Sequence, residues 1–192
     1  MKKALLLVCI LAISVVTTAC INSFAVQELN SKAMTFMDQG NYQEAIERLK
    51  SSIDLDDSIF ESHYNLAVAY TKSEDYVNAL NSYKKAINLK PDFADSYYSL
   101  AVAEENIVSD LSSGYLTLDE NGNLQKVTPN DNDTDKELKL SPEVTAYIDE
   151  LLKDSIRNYN EYLAKGIDIK DAEEVQNHIK DLELKLNTTA KE

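Results

Sequence analysis

The residue types that most often carry out catalysis are few in this sequence and lie far apart. The only histidines are His63 and His178, whereas a histidine-based triad or a zinc site needs several such groups close together. We expect His63 to pack in the core and His178 to face solvent. The neighbouring acids in Glu104–Glu105 and Glu173–Glu174 should point to different sides of a helix, which indicates solvated surface. A glycosidase-like pair must instead converge across a cleft, so the sequence predicts neither enzymatic activity nor a cofactor.

One short segment has oxygen ligands at the spacing of a calcium-binding loop. Asp119, Asn121 and Asn123 alternate along the chain, as the first ligands of an EF-hand do. However, Leu124 stands where that loop needs glycine, and no glutamate occupies its twelfth position. The acidic stretch 130–135 could bind calcium only loosely. We therefore expect no specific metal site.

Both cysteines lie within the first twenty residues, at Cys9 and Cys20. Lysines at 2–3 precede the apolar run 4–16, which has the form of a signal peptide and is shorter than a membrane-spanning helix. Small residues at 17–19 then lead into Cys20. This arrangement resembles the bacterial lipobox, in which the cysteine thiol receives a diacylglyceryl group before cleavage at its amino side.

The resemblance implies a lipoprotein-type signal peptide over 1–19, lipid attachment at Cys20 with palmitate among its acyl chains, and a lipidated tether over 20–25. Several acyl chains hold a protein stably, here on the extracytoplasmic side of a bacterial membrane. The motif departs from the lipobox at Thr17, where an aliphatic residue is usual. Two alternatives stay open. One is ordinary signal cleavage after Ala25, giving a secreted or periplasmic soluble protein, and the other is an uncleaved signal anchor.

The overall composition favours one helical domain with an acidic surface. The 192 residues are 44% hydrophobic with only 4 Gly and 3 Pro, which is enough apolar material for a core and favours helix over strand. The formal net charge is −14. That charge argues against nucleic acid, which needs clustered Lys and Arg, and against electrostatic adsorption to anionic lipid.

A 34-residue pattern repeats in the middle of the chain. Residues 26–59 align without a gap with 60–93, and most of the identical positions are apolar or aromatic, so a packing pattern repeats. The identical pairs are Ala33/Ala67, Tyr42/Tyr76, Ala45/Ala79, Lys50/Lys84, Ile53/Ile87 and Leu55/Leu89.

The order of small and aromatic residues in each copy gives the pattern its physical logic. Small alanines let paired helices approach, and the aromatics fill the space between them. Pro91 ends the second helix of the second copy, whereas Asp57 stands at that position in the first. The second copy reads His63-x2-Leu66-Ala67-x2-Tyr70, then Ala79-x3-Tyr83-x2-Ala86 and Pro91. The first copy reads Leu29-x2-Lys32-Ala33-x2-Phe36, then Ala45-x3-Leu49-x2-Ser52. The pattern resembles the tetratricopeptide repeat (TPR), which implies repeats of antiparallel helix pairs over 26–59 and 60–93.

A third copy begins on schedule and is then interrupted. It spans 94–168, with an insertion at about 109–141 that is polar and rich in turn residues. Helical periodicity resumes after Ser141-Pro142, a good N-cap followed by proline at the first helical position. Gly166 is expected to end this helix as a C-cap. The predicted fold is thus all-α, a short TPR-like solenoid with one split repeat.

The C-terminal segment 169–188 is predicted to be a capping helix that begins near Asp171. Its apolar residues are spaced by three and four, which places them on one stripe that can seal the end of a solenoid. The stripe contains Ala172, Val175, Ile179, Leu182 and Leu186.

Within the insertion, residues 115–127 alternate around Asn121-Gly122, a strong signal for a β-hairpin. Two interpretations of the insertion are open. It could be a lobe that contacts a partner or closes over a groove, or a surface insertion that the fold tolerates at little entropic cost.

The resemblance also implies a concave groove, lined by the first helix of each repeat, that takes an extended or helical peptide. Tyr64 and Tyr98 occupy the same repeat position and are expected to lie side by side. They could contact a peptide or pack against the next repeat or the inserted segment. The groove positions that carry over are Asn30, Met34, Met37, Tyr64, Asn65, Val68, Tyr98 and Val102.

One subclass of the family clamps a C-terminal carboxylate with Lys, Asn and Arg side chains. Asn65 matches the central Asn of that clamp. Asn30, Asp95 and Ser99 stand where its basic residues or their partners would be, so a clamp is not expected here.

Taken with the signal sequence, the resemblance predicts a membrane-tethered module that binds a protein or peptide. It would act as an adaptor or scaffold in a bacterial envelope complex. The alternative is an accessory protein that binds envelope polysaccharide through the acidic insertion, with or without calcium.

Overall fold

The computed structural model describes residues 22–127, 139–166 and 169–189, and the lipobox-like segment with Cys20 lies outside these ranges. The described residues form helices and one small antiparallel sheet. Among them, no helix is long and apolar enough to cross a membrane. The chain divides into an N-terminal unit, Met1–Asp75, and a C-terminal unit, Tyr76–Glu192.

The N-terminal unit contains three helices in its described part: α1 over 22–38, α2 over Tyr42–Leu55 and α3 over Phe60–Lys72. Short turns join them. Gly40 has a φ of +75° in the turn between α1 and α2, a conformation that glycine adopts without the steric cost other residues meet.

Small residues bring the helices of the N-terminal unit close together. Ala33 of α1, Ala45 of α2 and Ala67 of α3 are all fully buried, as the repeat pattern predicts for positions where helices approach. Leu49 is also fully buried and supplies bulk to the core of this unit. The side chains of these alanines bury little apolar area themselves. They stabilise the unit by letting the helices pack closely against one another.

The described residues of the C-terminal unit form four helices and the hairpin. Its first two helices continue the 34-residue period of the N-terminal unit. Helix α4 starts 34 residues after α2, and α5 starts 34 residues after α3. The elements are α4 over Tyr76–Leu89, α5 over Ala94–Ser112, β1 over Leu116–Leu118, β2 over Leu124–Lys126, α6 over Pro142–Ala164 and α7 over Ile169–Thr189.

The interruption of the third repeat begins later than the sequence indicated. We predicted an insertion from about 109, but α5 continues to Ser112. The extra turn remains helical because Leu111 is fully buried and packs in the same core cluster as α6. The tail of the insertion, including the acidic stretch 130–135, lies outside the described residues.

The hairpin has the predicted position and turn. β1 pairs antiparallel with β2 in a register that sets Leu118 opposite Leu124, and Gly122 in the turn has a φ of +79°. Leu116 of β1 is only 5% exposed and belongs to the core cluster of the C-terminal unit. The inserted segment therefore contributes to the core of its own unit.

Helix α6 supplies the second helix of the split repeat. The side chain of Ser141 accepts a hydrogen bond from the backbone N–H of Val144 at 3.3 Å, which satisfies an otherwise unpaired donor of the first turn. Gly166, with a φ of +77°, follows the last turn as predicted. Between these ends α6 packs along α5. Within the described part of the chain, this helix pair has the most extensive contact.

The last helix covers the unit as the sequence predicted. The stripe residues Val175, Ile179 and Leu182 are buried in the core cluster, and Leu186 packs against its edge. The charged residues of α7 whose side chains are described are exposed, so this helix presents a polar surface to solvent at the end of the array.

Candidate functional site

The predicted groove positions of the N-terminal unit lie on α1 and α3 and differ in how accessible they are. Met34 is 43% exposed. The side chains of Met37, Tyr64, Asn65 and Val68 are half-buried. This face therefore offers apolar and amide groups that a partner could contact.

Asn30 has a different role from the one its groove position implied. Its Nδ2 lies 2.8 Å from Ser52 Oγ of α2 and 2.8 Å from Ser62 Oγ of α3, and it also bonds to the carbonyl of Val26 at 3.0 Å. The two serine hydroxyls, both fully buried, are 3.0 Å apart. Asn30 thus joins three helices through a buried polar cluster.

In the C-terminal unit, the predicted groove residues Tyr98 and Val102 lie on α5. Val102 is half-buried and packs against the core cluster. Tyr98 is 41% exposed, and its ring packs on two rings of α6. The ring centroids are 5.5 Å from Tyr159 and 5.1 Å from Tyr162, with interplanar angles of 70° and 55°.

These tyrosines border a cavity of about 430 Å³ between helices α5, α6 and α7. The cavity combines aromatic rings with an acid and an imidazole. We name it the tyrosine cavity, and its lining residues are Tyr98, Tyr159, Tyr162, Glu174, Val175 and His178.

A polar cluster behind the tyrosine cavity fixes one of its walls. Tyr159 donates a hydrogen bond from its hydroxyl to Glu105 Oε1 at 2.6 Å. His178 Nε2 lies 2.9 Å and 3.0 Å from the two oxygens of the same carboxylate. Burial, with the nearby Glu105 carboxylate, raises the pKa of Tyr159. Since Tyr159 is only 2% exposed, its ring is held in one orientation.

The adjacent carboxyl group is more deeply buried. Glu104 is 2% exposed, and its Oε2 accepts a hydrogen bond from Asn158 Nδ2 at 2.9 Å. Burial raises its pKa to about 7, an effect that the Asn158 bond opposes. Glu104 also lines a smaller cavity of about 180 Å³, together with Lys84 and Arg157.

The expectation that Glu104 and Glu105 form part of a solvated face is therefore wrong. Both acids point into the C-terminal unit because α6 and α7 cover that side of α5. The sequence carried one signal of this, since Glu104 stands where the first two repeats have the aromatic residues Phe36 and Tyr70.

The two histidines have structural partners. His63 is buried, as predicted, and its Nε2 lies 2.9 Å from the backbone carbonyl of Asp57. The prediction that His178 simply faces solvent is wrong, because it pairs with Glu105 while keeping part of its ring exposed.

The carboxylate of Asp119 is bonded within the hairpin turn. Asp119 Oδ1 accepts hydrogen bonds from the backbone N–H groups of Asn121 and Asn123, both at 2.8 Å. The Asn123 side chain, which contributes most, lowers the pKa of Asp119. Within the described ranges, no three or more His, Cys, Asp and Glu side chains are grouped so that they could hold a metal ion.

The period, the buried alanines and the paired helices define an α-helical repeat protein. The family model described as TPR repeat matches residues 34–73 and 69–106. Over these residues the chain has the TPR pattern, and the seven helices within the described ranges have a TPR-like arrangement. Such folds typically serve as non-catalytic scaffolds for protein–protein interaction.

Several solved structures share this fold at low sequence identity. The first TPR of Spaghetti (RPAP3), bound to the HSP90 peptide SRMEEVD, is similar with a TM-score of 0.58 and 16% identity, over 86% of this chain and 95% of that one. The second TPR domain of human RPAP3, in complex with the HSP70 peptide SGPTIEEVD, has a TM-score of 0.53 and 15% identity, over 83% of this chain and 98% of that one. The Sgt2 TPR domain from Aspergillus fumigatus has a TM-score of 0.51 and 13% identity, over 87% of this chain and 82% of that one. No curated protein matches the sequence.

Proposed function

We propose that this protein is a membrane-tethered interaction module that binds a segment of another protein. The observation that carries the proposal is the exposure of large side chains on the first helices of the repeats. Met34 of α1 and Tyr98 of α5 are each more than 40% exposed, at positions that TPR arrays use for peptide contacts. With an exported, tethered chain, this surface would give the protein an adaptor or scaffold role in a bacterial envelope complex.

The structural neighbours support peptide binding as the mode of interaction. Two of them hold peptides whose sequences end in Glu-Glu-Val-Asp. In this chain, Asn30 is committed to a buried polar cluster, and the exposed residue Asp95 begins α5 with a negative charge. An acidic peptide end would meet like charge there, so we expect a partner segment of a different composition.

Tethering is supported by the sequence before α1. Cys20 lies only six positions before Val26, where the first repeat begins. An acylated Cys20 would hold the repeats next to the membrane surface, where their partner would have to be presented. The same geometry would favour partners that are themselves in the envelope, because confinement raises the effective concentration of both proteins.

Proximity cross-linking in the native cell, followed by mass spectrometry, tests this function. The wild type should capture envelope proteins, and Cys20→Ser should lose or change that set while the protein also leaves the membrane fraction. Capture of cytosolic proteins by the wild type would contradict the proposal. So would a capture set and membrane fraction that do not depend on Cys20.

A further inference from the structure

We propose that the tyrosine cavity binds the guanidinium group of an arginine side chain in the partner segment. The inference rests on the proposed function and deepens it, since it states the chemistry of the segment that the module takes. It concerns only α5, α6 and α7 of the C-terminal unit.

The aromatic wall suits a flat cation. Tyr98 and Tyr162 are tilted by 55° at a centroid distance of 5.1 Å, so their rings present surfaces at an angle to each other. Tyr98 is partly exposed and Tyr162 is half-buried. The negative faces of such rings attract a cation that lies within about 6 Å of the centroid. A guanidinium group can stack on a phenol ring because it is planar and weakly hydrated.

The charge of the lining selects for a cation. Glu174 is an exposed carboxylate on α7, and it makes no hydrogen bond or ion pair with the side chains that the structure describes. Glu105 stands behind the wall but is already shared between Tyr159 and His178. No lysine or arginine is among the described residues that line the cavity. Together with the net charge of −14, this lining would repel an anion.

The polar groups of the cavity favour guanidinium over a quaternary ammonium. An arginine presents five N–H donors in a fixed plane, and this lining offers an exposed acceptor in the Glu174 carboxylate. A trimethylammonium group has no donor and could not form a hydrogen bond with that carboxylate. A bond to Glu174 and stacking on Tyr98 could form together, because a guanidinium uses its edge for one and its face for the other.

The experiment uses the full-length chain in detergent and the probe acetyl-Gly-Gly-Arg-Gly-Gly-amide. Saturation-transfer NMR measures its dissociation constant and that of the same peptide with citrulline, which keeps the shape and removes the charge. Glu174→Gln should weaken arginine binding about two- to fivefold, the effect of one exposed ion pair. Tyr98→Leu should weaken it about three- to tenfold through the lost cation–π contact.

The matched control is Glu173→Gln, which removes the same charge from the neighbouring exposed position of α7. It should leave the dissociation constant within about 1.5-fold, since a charge outside the cavity is largely screened at physiological salt. Tyr98→Phe should retain most of the binding. Circular dichroism and thermal unfolding check the fold of each variant, and the exposed residue Glu174 gives a test that does not depend on Tyr98.

Three results would overturn the inference. They are equal binding of the arginine and citrulline probes, equal effects of Glu173→Gln and Glu174→Gln, and tighter binding of a trimethyllysine probe than of the arginine probe. The outcome is separable from that of the proposed function. If cross-linking still identifies an envelope partner, and Glu174→Gln does not change how much of that partner is captured, the cavity assignment fails while the adaptor function stands.

Discussion

Asn158 of α6 donates a hydrogen bond to the buried carboxyl group of Glu104 of α5, with 2.9 Å between Nδ2 and Oε2. The two residues are 54 positions apart, and the inserted segment lies between them. This buried hydrogen bond links α5 and α6, which are the two halves of the split repeat. It also makes the stability of the repeat depend on the protonation of one group.

Replacing Glu104 with glutamine should change how stability depends on pH. Burial raises the pKa of Glu104 from 4.5 to about 7, so the folded state binds this proton more tightly than the unfolded state does. That contribution to stability is full below the unfolded pKa and is lost as pH rises through the folded pKa. Between pH 5 and pH 8 the wild type should lose roughly 2 to 3 kcal/mol from this group, and Glu104→Gln should not. Urea unfolding at both pH values measures the difference.

The control for this prediction is Glu150→Gln, at an exposed position of α6. It should follow the wild-type pH dependence within about 0.5 kcal/mol. If Glu104→Gln and Glu150→Gln show the same pH dependence, Glu104 does not titrate in the way its burial implies.

Removing the side chain of Asn30 should destabilise the N-terminal unit. Asn30→Ala deletes the donor that joins α1 to the buried Ser52 and Ser62 hydroxyls, and buried polar groups that lose a partner cost about 1 to 3 kcal/mol. The free energy of unfolding, from urea titration, should fall by that amount. Asn160→Ala is the matched control, because exposed Asn160 donates to the carbonyl of Ile156 four residues earlier and to no buried side chain. A larger loss for Asn160→Ala than for Asn30→Ala would refute this role.

Shortening Leu116 should destabilise the C-terminal unit although the residue lies in an insertion. Leu116 is 5% exposed in the core cluster, and Leu→Ala at a buried position costs about 2 to 3 kcal/mol or more. Tyr115→Ala, at a position that is 64% exposed, should change stability by no more than about 0.5 kcal/mol. Native-state hydrogen exchange of α5 and α6 amides measures both. Equal protection in the two variants would mean that the hairpin does not stabilise this unit.

Truncating the exposed face of the N-terminal unit should weaken capture of the partner. Met34→Ala with Tyr64→Ala removes two large contact groups from α1 and α3, and interface residues of this size often cost more than 1 kcal/mol each. Capture in the cross-linking experiment should fall about fivefold or more, with helicity unchanged by circular dichroism. Val77→Ala, at an exposed position on the second helix of its repeat, serves as the control. Undiminished capture by the double variant would show that this face is not the binding surface.

The repeating elements could be predicted from the sequence because their causes are local. Ser141 followed by Pro142 indicated the start of α6, Gly166 its end, and Asn121-Gly122 the hairpin turn. Each is a short-range preference of the backbone or of one side chain. The 34-residue period extended these preferences to whole helices, since the same small and aromatic residues return in the same order.

The polar contacts of the C-terminal unit could not be predicted in that way. The bond between His178 and Glu105 joins residues 73 positions apart, and it depends on how α7 is rotated about its axis. Adjacent acids on one helix were expected to meet water, yet α6 and α7 cover Glu104 and most of Glu105. The hydrogen bonds of Asn30 to two serines could not be predicted for the same reason. A repeat position indicates the direction of a side chain, but it does not tell which residues of the neighbouring helices that side chain contacts.

The split of the third repeat affects the order in which the chain can fold. Helices α1, α2 and α3 are separated by turns of a few residues, so they can pair without any distant segment of the chain. The buried face of α5, with Ile107 and Leu111, needs α6, which begins only at Pro142. The 29 residues 113–141 separate α5 from α6, so pairing these two helices closes a longer loop than the pairings of α1, α2 and α3 do. A longer insertion would slow this step further, because the entropic cost of closing a loop grows with its length.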